Sequence, residues 1–200
     1  MKALIIVDLQ NDFLPKGALA VPDSDGIIDR INEIQKKYSI VVATQDWHPA
    51  DHKSFASQHQ DKKPFDVIDL NENQQTLWPD HCVQGSKGAE LTSKLNTDKI
   101  SAIFRKGTDK EIDSYSAFYD NNKKRSTGLH GYLQELNVDQ VFICGLAADF
   151  CVYYTAKDAL ELGYSTTILD ESTKPIDAEK YQQIKDSFIA AGGKISSYIL

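Results

Sequence analysis

Apolar residues gather along the chain into short runs, and the segments between them carry a helical beat. The runs are Ala3–Val7, Ile40–Ala43, Ile100–Phe104, Val141–Cys144, Thr166–Leu169 and Ile195–Ile199, each of strand length. Between them, Ile27, Ile31 and Ile34 share one helix face, and Leu129, Leu133 and Leu136 share another. Val152, Ala156, Ala159 and Leu160 mark a third face, and Tyr181, Ile184 and Phe188 a fourth. The strand runs are close to continuous rather than alternating, which implies burial on both sides. This predicts an α/β fold, a three-layer α/β/α arrangement in which helices cover both faces of a six-stranded, mostly parallel sheet. Gly163 and the pair Gly192-Gly193 stand where helices should stop ahead of the next strand.

Two stretches break the rhythm. The polar region from about 46 to 88 has little periodicity and is far longer than an ordinary helix-to-strand connection, and loops of that length usually carry function. Gly107 to Thr127 forms a second irregular piece. No repeat, low-complexity tract or linker divides the 200 residues, so a single domain over 1–200 is expected, long enough to bury a core.

In an open parallel sheet every strand points the same way, so residues just past the carboxyl ends collect along one edge, where ligands bind. Asp8 follows the first run, Asp46 and His48 the second, and Lys106 the third. Cys151 opens the helical pattern after the fourth, beyond the break at Gly145–Asp149. A thiol at a helix start meets unpaired N–H groups and the positive end of the helix dipole, which favours the thiolate. A carboxylate, an ammonium and such a thiol in one crevice supply a base, a charge that tunes it, and a nucleophile. Each residue alone has a plainer reading: Asp8 as a turn cap, Lys106 as a solvated lysine, Cys151 as a small buried apolar residue. Their common placement is what argues for chemistry.

Asp46-Trp47-His48 offers a second constellation, because residues two apart in an extended segment point to one side and can reach the same cation. His81 could close a three-ligand site with open positions, and His52, His59 and Cys82 are further candidates. The alternative is a polar loop whose histidines are merely exposed.

Charge and cysteine usage narrow the classes. The net charge of −7, from 22 basic and 29 acidic residues, is spread along the chain, and the one basic cluster, Lys123-Lys124-Arg125, has no aromatic company. No nucleic-acid partner is expected. Ala3–Val7 meets Asp8 after five residues, too short for a signal-peptide core, and no run approaches a membrane span, so a cytoplasmic protein without a membrane partner is expected. Three cysteines without paired spacing argue against a disulfide framework. There is no G-x-G-x-x-G after a strand, no Walker loop and no G-x-S-x-G elbow, which removes support for nucleotide and serine-hydrolase readings.

Six separated stretches resemble the nicotinamidase/pyrazinamidase family of the isochorismatase-like cysteine hydrolases. They are Val7–Phe13, Asp46-Trp47-His48-Pro49, Trp78–Val83, Arg105–Thr108, Asp113–Phe118 and Gly145–Val152, in the family's order, and the similarity runs from Lys2 to about Thr173. The resemblance implies an isochorismatase-like fold with Asp8, Lys106 and Cys151 as the catalytic triad. It implies one divalent metal ion, zinc, iron or manganese, on Asp46, His48 and His81, with His52 as a fourth candidate ligand. It further implies an oxyanion hole at Ala147 and Cys151, a cis peptide between Leu146 and Ala147, and a substrate pocket of Phe13, Trp78, Tyr115 and Ala147. Ala148 departs from the pattern, since threonine often stands there. The implied activity is that of a nicotinamidase in NAD salvage: hydrolysis of nicotinamide, and of pyrazinamide, to the acid and ammonia through a thioester. A different amidase of the superfamily, of the N-carbamoyl-amine or ureidoacrylate type, and a non-catalytic pyridine or metal sensor are the alternatives, and a homo-oligomer is left open.

Overall fold

The computed structural model describes residues 1–71 and 73–197. Its strands are β1 (Lys2–Val7), β2 (Ile40–Asp46), β3 (Val67–Leu70), β4 (Asn73–Thr76), β5 (Ile100–Lys106), β6 (Gln140–Leu146), β7 (Ser165–Lys174) and β8 (Lys194–Ser196). Its α-helices are α1 (Ile28–Ile34), α2 (Leu129–Glu135), α3 (Tyr153–Glu161) and α4 (Ala178–Ala190). Six strands form one sheet in the order β5-β2-β1-β6-β7-β8, with every neighbouring pair parallel. The sixth apolar run therefore becomes β8 over Lys194–Ser196, and its end at Ile199 lies outside the described residues.

The run of apolar letters in β1 is explained by its position. Leu4 and Ile6 enter one core cluster with Ile28, Ile31 and Ile34 of α1, while Ala3, Ile5 and Val7 enter the other with α2 and α3. Both faces are covered, so neither can be polar. β5 departs from the expected two-sided burial. It is an edge strand whose residues alternate between half-buried and exposed, and Ile103 is 49% exposed, because one face there has no covering layer. The polar region also contains an element that its periodicity did not announce, the antiparallel hairpin β3–β4, in which the apolar residues are confined to the four-residue β3 and face the wholly polar β4.

The chain builds outward from β1 to β2 and β5, then returns to the other side of β1 with β6. That reversal opens a crevice beyond the carboxyl ends of β1 and β6. Gly145 makes the close approach of these strands possible. It pairs with Val7, has φ of +107°, and any Cβ there would drive into the Val7 carbonyl oxygen. Gly145→Ala is accordingly expected to lower stability by roughly 3 kcal/mol or more, from left-handed backbone and overpacking together. An unchanged urea midpoint would contradict this account of the crevice.

Candidate active site

Four strand ends deliver the chemistry. Asp8 leaves β1 with a left-handed backbone, φ 47°, Asp46 and Lys106 are the last residues of β2 and β5, and Cys151 lies in the helical turn Ala148–Val152 between β6 and α3. All four side chains are buried. Lys106 Nζ stands 2.9 Å from Asp8 Oδ2 and 2.9 Å from Asp46 Oδ1. It donates to the Ser114 carbonyl at 2.9 Å and approaches Cys151 Sγ at 3.4 Å. The cysteine sulfur and an oxygen of each aspartate lie within 4.8 Å of one another. The structure thus brings Asp8, Lys106 and Cys151 together, with Asp46 as a fourth member.

Burial works against the lysine's charge, but Asp46 and Asp8 reverse this and hold its pKa well above the ordinary lysine value. For Asp8, burial lifts the carboxyl above the usual aspartate value; Lys106 pulls against it and Asp46 adds to it. Cys151 differs from the sequence expectation of a lowered thiol. Burial pushes it well above the ordinary cysteine value, and the pull of Lys106 does not overcome that. The sulfur therefore holds its proton and needs a base within reach to release it. A carboxylate of raised basicity is beside it.

Two orienting side chains escaped the sequence reading. Thr44 Oγ1 donates to Asp8 Oδ1 at 2.6 Å and accepts from the Asp8 N–H at 3.1 Å, so one carboxylate oxygen is fixed while the other faces Lys106. Gln10 clamps the Asp46 backbone, donating to its carbonyl at 2.8 Å and accepting from its N–H at 2.8 Å. For Thr44 the available signal was polarity in a strand too buried to tolerate it without partners, since it follows an unbroken apolar run; Gln10, beyond the end of β1, gave no such signal.

The second constellation also assembles. His48 Nδ1 lies 3.0 Å from the Gly107 carbonyl and His81 Nδ1 2.8 Å from the Pro79 carbonyl. A carbonyl only accepts, so both Nδ1 atoms carry the proton and both Nε2 atoms present lone pairs. These stand 3.2 and 3.6 Å from Asp46 Oδ2, and His48 Nε2 has no hydrogen-bond partner among the described residues. One carboxylate and two imidazole lone pairs converging in a buried place fit a divalent ion of borderline softness. Gly107 keeps the histidine in place: its φ is +63°, and a Cβ there would enter the His48 ring. His52 packs 4.3 Å from His48, ring centre to ring centre, and burial with the nearby His48 lowers its pKa to about 4. His59 lies on the Lys53 carbonyl instead, and among the described residues neither it nor Cys82 falls in a group of candidate ligand atoms with Asp46, His48 and His81.

Between the two constellations lies a small cavity that Phe13, Trp78, Tyr115, Ala147 and Cys151 help to line. Leu19, Phe150 and Ile176 complete its apolar walls, and Asp113 and His81 add polar groups. Trp78, Tyr115 and Phe150 meet edge to face, with ring centres 4.8 to 6.3 Å apart. Asp149 ties this wall to the nucleophile turn, because its carboxylate accepts from the N–H groups of Ile176 and Asp177 at 2.9 and 3.0 Å. The peptide between Leu146 and Ala147 is cis. Elsewhere the basic cluster is spent on ion pairs, with Lys123 on Asp158 and Glu161 and Arg125 on Asp109. Among the described residues no helix is long and apolar enough to cross a membrane.

Known proteins are similar to this one along nearly the whole chain, in sequence and in fold. The sequence is 49% identical to the nicotinamidase of Acinetobacter baylyi over 175 residues, covering 88% of this chain and 82% of that protein. The fold superposes on the yeast nicotinamidase bound to the inhibitor nicotinaldehyde with a TM-score of 0.95, at 34% identity, covering 99% of this chain and 100% of that one. A pyrazinamidase of Pyrococcus horikoshii, solved in complex with zinc, gives a TM-score of 0.82 at 35% identity, covering 98% and 99%. Residues 2–198 match the isochorismatase domain. With its domain match, its fold and these relatives agreeing, the chain belongs to the nicotinamidase/pyrazinamidase family of the isochorismatase-like superfamily.

Proposed function

We propose that this protein is a nicotinamidase, hydrolysing nicotinamide to nicotinate and ammonia, and pyrazinamide likewise, through a cysteine thioester. The observation that carries the reading is a buried thiol beside a carboxylate of raised pKa and a charged lysine, opening on a cavity with aromatic walls. In this scheme Asp8 takes the Cys151 proton as the sulfur attacks the carboxamide carbon. Backbone N–H groups of Ala147 and Cys151 hold the resulting oxyanion. The carbon–nitrogen bond breaks and the proton on Asp8 leaves with ammonia. Asp8 then draws a proton from water as its oxygen attacks the thioester, and that proton returns to the departing sulfur. Lys106 stabilises each anion that forms around it, and Thr44 keeps Asp8 aimed at the sulfur. Phe13, Trp78 and Tyr115 sandwich the ring and exclude water.

Asp46, His48 and His81 would hold a divalent ion, zinc, iron or manganese, which when bound supplies a Lewis-acidic anchor for the ring nitrogen. The zinc-bound relative and the oriented lone pairs support this assignment. A place in NAD salvage and in the cytoplasm follows from the proposed substrate and from three buried, unpaired cysteines. The test is ammonia release from nicotinamide before chelation, after it, and after metal restoration. Removal of the ion is expected to cost about a hundredfold or more through lost orientation, and restoration to recover it. Undiminished turnover by verified metal-free protein would remove the ion from the reaction.

A further inference from the structure

The cavity beside Cys151 has a buried side and a mouth. Of the residues that line it, Tyr115, Phe150 and Ile176 keep part of their surface in solvent, and the others, Cys151, Asp46 and His81 among them, are buried. The mouth is therefore framed by two aromatic rings and one aliphatic side chain. The rings brace each other edge to face, 5.5 Å apart between centres. Ile176 arrives from elsewhere in the fold, on the short link between β7 and α4.

One side chain holds that link. β7 ends at Lys174, which pairs with Leu146 of β6, and Pro175 brings no N–H. The next two N–H groups, those of Ile176 and Asp177, both donate to Asp149, one to each carboxylate oxygen. Asp149 is fully buried, where a carboxylate is tolerated because donors of this kind satisfy it. Asp177 in turn caps α4, its side chain accepting from the Lys180 N–H at 3.0 Å, so the same carboxylate also fixes where the helix begins. Asp149 stands two residues before Cys151 on one helical turn. The nucleophile and the mouth are fastened to each other through it.

We propose that Asp149 is a positioning residue that selects substrate by ring size: it seats Ile176 on the mouth, and Ile176 meets the outward edge of the bound ring. The inference rests on the proposed hydrolysis of pyridine carboxamides. In that reading the carboxamide lies at Cys151 and the ring nitrogen points toward Asp46 and His81, both on the buried side. The ring carbon facing the mouth is then the one opposite the carbon between these two anchors. A methyl group there, as in 5-methylnicotinamide, runs into Ile176.

Steady-state kcat and KM for nicotinamide and 5-methylnicotinamide test it on the intact chain. One methyl group against an apolar wall discriminates by about tenfold or more, so the unmodified protein should prefer nicotinamide by at least that factor in kcat/KM. Ile176→Ala is expected to erode the preference about tenfold, chiefly through a fall in KM for the methylated amide. Asp149→Asn should move it the same way, because its amide nitrogen must face one of the two N–H donors and release it. The double variant should show no further change, since Asp149 acts through Ile176. Loss of turnover alike on both amides in Asp149→Asn, with the preference intact, would overturn the proposal, as would two shifts that multiply in the double variant. If Asp149→Asn does not fold, Ile176→Ala decides, and an unmoved preference there overturns it. No ammonia from either amide with the unmodified protein would instead sink the proposed hydrolysis and the inference with it.

Discussion

Cys151→Ala is expected to abolish ammonia release from nicotinamide, lowering turnover about ten-thousand-fold or more while the fold and metal uptake persist. The size follows from the sulfur's role, because without it no thioester forms and nothing else in the crevice is an activated nucleophile. Persistence of the fold follows from chemistry of a different kind: alanine keeps an apolar group in a site already walled by Ala147 and Phe150, and one buried sulfur is a small volume to lose. The competing scheme is a metallohydrolase, in which the cation generates hydroxide and the thiol is dispensable. It predicts near-normal turnover by Cys151→Ala. A steady-state assay with a metal determination on the same sample separates the two.

Lys106→Met should be the most damaging substitution for the fold. The ammonium is fully buried between two carboxylates, and removing one partner of a buried ionic group strands the charge of the others, typically at a cost of roughly 3–5 kcal/mol. Methionine fills much of the same volume, so the loss measured by urea denaturation is chiefly electrostatic. The sign of its pH dependence also follows. Asp8 already has a folded-state pKa above its ordinary value, and without Lys106 it goes higher. A carboxyl raised in the folded state favours folding below its unfolded pKa and loses that advantage as pH rises through the folded one. The deficit of Lys106→Met should therefore shrink toward acidic pH, and a deficit independent of pH would point to packing instead.

Much of the architecture was written in the apolar runs, because β1, β2, β6 and β7 lie inside a covered sheet and cannot carry polar faces. The site residues were legible for a related reason, since strand ends in such a sheet converge. What periodicity could not show is the polar continuation of those strands. β7 runs on through Asp170 to Lys174, and β2 through Thr44 to Asp46, where hydrogen bonds replace apolar burial. Nor could it show the β3–β4 hairpin, whose strand pairing is made by backbone groups that every sequence has. The raised pKa of Cys151 was not legible because a helix start is a local feature, whereas the burial that raises it is a tertiary one.

The position of Lys106 has a last consequence for anyone dissecting this crevice by mutagenesis. One ammonium neutralises the acid–base carboxylate on one side and the cation-binding carboxylate on the other, at equal distance. Removing either acid hands the survivor the whole of that charge. Losses from Asp8 and Asp46 variants will therefore not add, and a thermodynamic cycle across the pair will report the strength of their competition rather than two separate contributions.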